Sequence, residues 1–143
     1  MQASEEQRAF LEANRLCVVG IGRGPRAPHL SPVYYVLDGD DILISTTASR
    51  FKAKAVRRGA PVSVCVLAES YPFPYLLVEG EAVVEDSGAA ELMMKIGARM
   101  TGNPVPETAR PVIEQRARDE GRVVLRLRPS RFVSTMPLTQ KQA

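Results

Sequence analysis

Residues 28–67, PHLSPVYYVLDGDDILISTTASRFKAKAVRRGAPVSVCVL, contain the pattern that decides the fold. Asp38 and Gly39 stand between two runs of apolar residues, and this arrangement is a strong short-range signal of a β-hairpin. We therefore expect a hairpin over 29–46. Its far end carries a cluster of three hydroxyl side chains, Ser45, Thr46 and Thr47.

A short helix is predicted directly after this cluster. Ser49 can cap a helix over residues 50–58, and Gly59, with Pro61 just beyond it, ends that helix. The chain then returns to apolar, alternating residues at 62–67. The order is thus strand, polar turn, helix and strand.

The remaining sequence predicts more strands and helices around this unit. Ser4 and Gln7 have the spacing of a capping box and indicate an N-terminal helix that packs Phe10 and Leu11. Further strands are expected at 16–21, 75–84 and 122–133, and two more helices are expected between residues 86 and 120. We predict a mainly β fold, a small antiparallel barrel of about six strands with peripheral helices. One domain covers 1–143, with a tail from about 134.

The composition excludes several classes of protein. The chain has 143 residues, 45% hydrophobic and 24% charged, as in an ordinary globular domain. No apolar run approaches the roughly 18 residues that a membrane span needs, and the polar N-terminus predicts a cytoplasmic protein. One histidine and two cysteines cannot supply the four ligands of a structural zinc, so no metal site is expected.

The charges are distributed unevenly along the chain. Residues 23–58 carry seven Arg and Lys against three Asp, whereas 69–91 carry six acidic residues and no basic one. This pattern favours a local anion site over a broadly basic surface, so no nucleic-acid partner is expected. Four arginines also alternate along 122–131, where the acidic residues of the preceding strand could pair with them.

The hydroxyl cluster and the following helix are the best candidate for that anion site. Ser45, Thr46 and Thr47 end a strand, and Lys52 lies in the first turn of the predicted helix. Free backbone N–H groups at a helix N-terminus attract anions, which suits a phosphate. The alternative is a solvated basic helix with polar capping residues.

Three segments together resemble a known family. They are residues 28–67, the stretch YLLVEGEAVVED at 75–86 and the closing GRVVLRLRPSRFVS at 121–134. Their order and spacing are similar to those of the split β-barrel flavin and deazaflavin oxidoreductases related to pyridoxamine phosphate oxidase, within them the branch that uses coenzyme F420. The resemblance implies a homodimer with cofactors in clefts between subunits. It also implies hydride transfer to an electron-poor unsaturated or quinone-like small molecule. An FMN enzyme of the same fold and a noncatalytic cofactor carrier are the alternatives.

The resemblance also implies roles for individual residues. The cofactor phosphate would be held by Ser45, Thr46, Thr47 and Lys52, with Arg50 and Phe51 beside it, and the acidic tail of F420 by Lys54, Arg57 and Arg58. Ser31, Pro32 and Val33 would lie against the ring system. Pro32 lacks an N–H, which would leave its stretch outside regular pairing or simply mark an edge strand.

The choice of cofactor and of catalytic groups depends on what the sequence lacks. FMN oxidases of the wider family place basic residues in the strand that faces the phosphate, whereas residues 33–37 here are apolar or Tyr. This departure favours F420 over FMN. No catalytic residue is assigned, because hydride transfer needs positioning more than an acid–base pair. Roles for His29, Tyr71 and Tyr75 stay open.

Overall fold

Strands dominate the computed structural model, which describes residues 2–134 and 137–138. Within these residues the helices are α1 (Glu5–Ala13), α2 (Phe51–Arg57), α3 (Ala89–Thr101) and α4 (Arg110–Glu120), and a short 3₁₀ turn at Glu107–Ala109 precedes α4. The strands are β1 (Leu16–Arg23), β2 (Arg26–Tyr34), β3 (Val36–Asp38), β4 (Asp41–Thr47), β5 (Val62–Leu67), β6 (Tyr75–Glu85) and β7 (Arg122–Val133). The prediction of a mainly β fold with peripheral helices is confirmed.

The seven strands found in the described residues form one antiparallel sheet in the order β2-β1-β5-β6-β7-β4-β3. β2 and β3 are its two edges, although Tyr35 alone separates them in the chain. The sheet must therefore curl until the end of β2 and the start of β3 meet at Tyr35. The hydrogen-bond ladder does not close between β2 and β3, so the barrel is split there.

The predicted hairpin over 29–46 is wrong in its first half. The hairpin joins β3 and β4 through the turn at Gly39, which has φ +60°, whereas β2 pairs with β1. Tyr35 causes the break: its side chain is fully buried, and its hydroxyl donates to the carbonyl oxygen of Leu11 at 2.6 Å. The strand count is consequently seven instead of six.

The core lies on the inner face of the curled sheet. Alternate residues of five strands fill it, for example the fully buried Val19, Ile44, Val64, Val78 and Leu125. α1 covers one end with Phe10 and Leu11, and its capping box between Ser4 and Gln7 is present as predicted.

α2 covers another part of the core with Ala55 and Val56. The expected cap by Ser49 is wrong: Arg50 is the N-cap residue, it makes no side-chain cap hydrogen bond, and the helix has only seven residues. The helix begins later because the chain stays extended at Arg50, with φ −79° and ψ 158°. A helix this short provides little dipole for an anion, so a binding site here has to depend on side chains.

Two further features frame the site. In β2, an edge strand, Pro28 and Pro32 interrupt the row of backbone donors. Of the predicted tail from 134, residues 135–136 and 139–143 lie outside the described part, but Leu138 is buried in the core and its N–H donates to Glu6 Oε1 at 2.9 Å. None of the described helices has the length and apolar character of a membrane span.

Candidate functional site

The first turn of α2 packs against one face of β2. Lys52 Nζ donates to Ser31 Oγ at 3.1 Å, and the Phe51 ring centroid lies 5.1 Å from that of His29. His29, Ser31 and Val33 share this face because side chains alternate along a strand. The fold thus brings together two groups of predicted site residues that are about 20 positions apart in the sequence.

Lys52 is a partly buried cation without a carboxylate partner. Burial, and then the neighbouring charge of Arg50, lower the pKa of the Lys52 ammonium. Neither side chain forms an ion pair with any carboxylate in the described part of the chain. Two uncompensated cations side by side are unfavourable, and an anion bound between them would remove the cost.

Two hydroxyls of the predicted cluster are buried and unpaired. Ser45 Oγ and Thr46 Oγ1 have no hydrogen-bond partner among the described residues, and neither has His29 Nδ1. Leaving such groups unsatisfied costs about 1–3 kcal/mol each, so an unpaired hydroxyl here is a candidate ligand-binding group.

The three hydroxyls do not converge on one point. Along β4, Thr46 shares the core-facing side with Ile42 and Ile44, whereas Ser45 and Thr47 lie on the opposite side. One anion can therefore meet the side chains of Ser45 and Thr47 but not that of Thr46.

Ser45 opens onto a cavity of about 360 Å³, here called the split cavity because β2 and β4 both line it at the gap in the barrel. Its walls combine apolar side chains with three arginines, and they consist of Val33, Tyr34, Ser45, Arg50, Met93, Ile96, Gly97, Met100, Arg116 and Arg122. Arg116 and Arg122 share Glu120, at 2.8 and 2.6 Å, which leaves Arg50 as the arginine without a described carboxylate. Such a cavity suits a flat apolar group that carries an anionic substituent.

The predicted tail-binding cations are not gathered at this cavity. Arg57 forms an ion pair with Asp86 at 2.6 Å, and Lys54 is exposed on α2. Arg58 lines a different cavity beyond the end of α2.

Pro32 does not leave the sheet. It pairs in register with Val18 of β1, so the expectation that its stretch lies outside regular pairing is wrong, and the edge-strand alternative is the observed one. Its side chain is exposed on the face opposite to Ser31 and Val33. An edge strand tolerates this proline because the missing N–H can face away from the neighbouring strand.

A sequence profile described as pyridoxamine 5'-phosphate oxidase matches residues 3–135, nearly the whole chain. The chain belongs to the pyridoxamine 5'-phosphate oxidase family. No curated protein matches it.

Solved structures share the fold of this family member. A conserved hypothetical protein from Mycobacterium tuberculosis is 21% identical, with a TM-score of 0.80 over 100% of this chain and 96% of the other. An F420 reductase is 20% identical, with a TM-score of 0.71 over 92% of this chain and 98% of the other. An FAD-binding protein from Mesorhizobium loti is 17% identical, with a TM-score of 0.59 over 89% and 87%. At these identities the likeness shows the fold alone.

Sequence reasoning missed the helical wall of the split cavity in this member of the pyridoxamine 5'-phosphate oxidase family. Met93, Ile96 and Met100 have ordinary amphipathic spacing, which predicts core or subunit contacts, and Arg116 lies on a polar helix. Only the packing of α3 beside β4, and of α4 beside α3 and β7, brings them to Ser45. The one signal in the sequence was the arginine alternation along 122–131, whose first member, Arg122, reaches the cavity.

Proposed function

We propose that this protein is an oxidoreductase that binds coenzyme F420 in the split cavity and uses it to reduce an electron-poor unsaturated or quinone-like small molecule. The observation that carries the proposal is the buried, unpaired Ser45 Oγ in a cavity that also contains Arg50, a cation without a described carboxylate partner. A phosphate would satisfy both groups at once. When bound, the deazaflavin supplies the hydride.

The chain's own residues bind and orient the cofactor. Ser45 Oγ would donate to a phosphate oxygen and Arg50 would supply charge-assisted hydrogen bonds. Lys52, held on Ser31 beside Arg50, would add a third donor from the border of the cavity. Thr47 shares the face of Ser45 but does not line the cavity, whereas Thr46 faces the core.

The apolar walls hold the ring system and exclude water from it. Val33 from β2 and Met93 and Ile96 from α3 all line the cavity, so they would give a flat ring apolar contacts from two elements. Phe51 packs on His29 and fixes the first turn of α2 against β2. No side chain is assigned a proton-transfer role, since positioning a hydride donor beside a conjugated acceptor supplies much of the rate.

The working unit is a homodimer. Leu16, Leu30 and Leu67 are 47%, 65% and 51% exposed, and all three lie on the outer face of adjacent strands β1, β2 and β5. A second copy packed on this face would remove them from water. Sedimentation at micromolar concentration should give a dimer, and Leu30→Glu should shift it towards monomer. A monomeric parent protein would contradict the proposed dimer.

An FMN- or FAD-dependent enzyme is the second candidate, favoured by the FAD-binding protein of the same fold. A noncatalytic F420 carrier is compatible with the same cavity.

Titrating the ligand-free protein with F420 and FMN in parallel separates the F420 enzyme from the flavin enzyme, and we expect tighter binding of F420. Reduced F420 is then mixed with a panel of quinones and enones. Loss of the reduced deazaflavin signal supports the enzyme, and binding without turnover of any acceptor supports the carrier.

A further inference from the structure

A second cavity, of about 370 Å³, lies between the β1–β2 turn and the segment that follows α2. We call it the hairpin cavity. It is lined by Gly22, Arg23, Gly24, Arg26, Phe51, Ala55, Arg58, Gly59, Ala60 and Pro61, and it shares none of these residues with the split cavity. Three of them are arginines from two separate segments of the chain.

These three arginines have no acidic partners among residues 2–134 and 137–138. Arg23, Arg26 and Arg58 are in none of the described ion pairs. Arg23 Nε donates to the carbonyl oxygen of Ala27 at 2.6 Å, which fixes the side chain and leaves its other N–H groups available. Like charges around one cavity repel each other, and a multivalent anion would convert that repulsion into binding.

The frame that carries the arginines is fixed before any ligand arrives. Gly22 N donates to the carbonyl oxygen of Pro61 at 2.9 Å and ties the β1–β2 hairpin to the segment after α2. A Cβ on Gly22 would lie 2.6 Å from Pro61 Cγ, so this approach requires glycine. Because the cavity is already formed, binding costs less conformational entropy than at a site whose residues become ordered only when the ligand binds.

We propose that the hairpin cavity binds a small anion with several phosphate or carboxylate groups, at a site separate from the phosphate site of the split cavity. Three guanidinium groups can neutralise an anion with at least two negative charges. The planar guanidinium group of arginine also forms paired hydrogen bonds with phosphate and carboxylate oxygens. Phe51 and Ala55 give the cavity an apolar side. The anion is either a free phosphate compound or an acidic chain continuing from a ligand in the split cavity, past Phe51.

Inorganic tripolyphosphate is the probe, and calorimetric titration of the full-length protein is the measurement. Arg23→Ala and Arg58→Ala should each weaken binding about tenfold or more, the loss of one charge-assisted contact. Arg57→Ala is the matched control, because it removes the same charge beside Arg58 from a residue that is paired with Asp86 and lies outside the cavity. It should change affinity less than about twofold. Far-UV circular dichroism and the melting temperature verify folding, and Arg26→Ala serves if a first variant fails to fold.

Two results would overturn the site: no binding of tripolyphosphate by the parent protein at low millimolar concentration, or equal weakening by Arg57→Ala and Arg58→Ala.

Titrations with F420 and FMN then distinguish the two sources of the anion. If an acidic chain is the ligand, Arg23→Ala/Arg58→Ala weakens F420 and spares FMN, and tripolyphosphate competes with F420 alone. If a free compound is the ligand, both cofactors keep their affinity while tripolyphosphate binding is lost. Failure of both cofactors to bind would contradict the proposed function, and the tripolyphosphate titration would still decide this site.

Discussion

Lys52→Ala tests whether the cation beside Arg50, at the border of the split cavity, helps to bind the phosphate. The change removes a partly buried ammonium that donates to Ser31 Oγ at 3.1 Å and lies beside Arg50. Losing one charge-assisted contact to a phosphate costs about 1.5–3 kcal/mol, so the affinity for F420 should fall roughly ten- to a hundredfold. Folding should change little, because one intramolecular hydrogen bond contributes only about 0.5–1.5 kcal/mol net.

The pH dependence of binding gives this prediction a second readout. Burial and Arg50 lower the pKa of Lys52 in the free protein, and a bound phosphate would raise it again. Affinity should therefore fall as the pH rises through the free-protein pKa, because the neutral amine then has to take up a proton on binding. In Lys52→Ala this part of the pH profile should vanish.

Lys54→Ala is the matched control for Lys52→Ala. It removes an equal charge from the same helix, but Lys54 is exposed, whereas Lys52 is partly buried and donates to Ser31 Oγ. Fluorescence titration with F420 from low to high salt compares the two, since a general charge effect is screened over about 8 Å at physiological ionic strength. Equal losses in the two variants, or full affinity in Lys52→Ala, would refute the assignment of Lys52 to the phosphate.

Three further predictions concern the frame around the site. Gly80→Ala should lower the free energy of unfolding by about 1–3 kcal/mol in urea titrations, because its Cβ would lie 2.0 Å from the carbonyl oxygen of Arg128. Gly20→Ala is the control and should lower the free energy of unfolding less, because its Cβ would meet the flexible Leu30 side chain at 3.2 Å. Tyr35→Phe should cost about 1 kcal/mol, since the carbonyl of Leu11 keeps a hydrogen bond from Arg99, and a loss above about 3 kcal/mol would contradict this reasoning. Burial raises the pKa of Cys17 to about 12 from 9.0, so the thiol ionises at lower pH in the unfolded chain than in the folded one. The free energy of unfolding should therefore decline as the pH rises from about 9 towards 12, by up to about 1.4 kcal/mol per pH unit. Cys17→Ala should show a shallower decline in unfolding titrations across that range.

Local features of the fold could be predicted from the sequence, and features set by distant contacts could not. The capping box of α1 and the turn at Gly39 depend on residues within a few positions, and both are present. The division of the expected first hairpin strand at Tyr35 depends on hydrogen bonds to Leu11 and Asn14, more than 20 positions away. No pattern inside 29–46 contains that information.

The candidate site divides in the same way. Ser31 and Lys52 were both expected there, and their hydrogen bond brings the two predicted segments together. The cap by Ser49 failed because a single cap residue is a weak signal beside the tertiary path of the chain. The distribution of the cations was also beyond the sequence, since Arg57 finds Asp86 and Arg58 meets Arg23 only in the folded chain.

The two prolines of β2 limit how this molecule can meet another chain. Pro28 and Pro32 are four positions apart in β2, and neither has an N–H to offer a further strand. Pro32 pairs with Val18 in an edge strand, where a proline nitrogen faces away from the neighbouring strand. An extended segment laid along this free edge would find donor positions empty on either side of Leu30, and a continuous ladder could not grow. Strand addition at β2 is thus blocked by the backbone itself, whatever the side chains are. A contact between copies in this region has to be made face to face, through side chains such as Leu30, so substitutions there can change the partner without extending the sheet at β2.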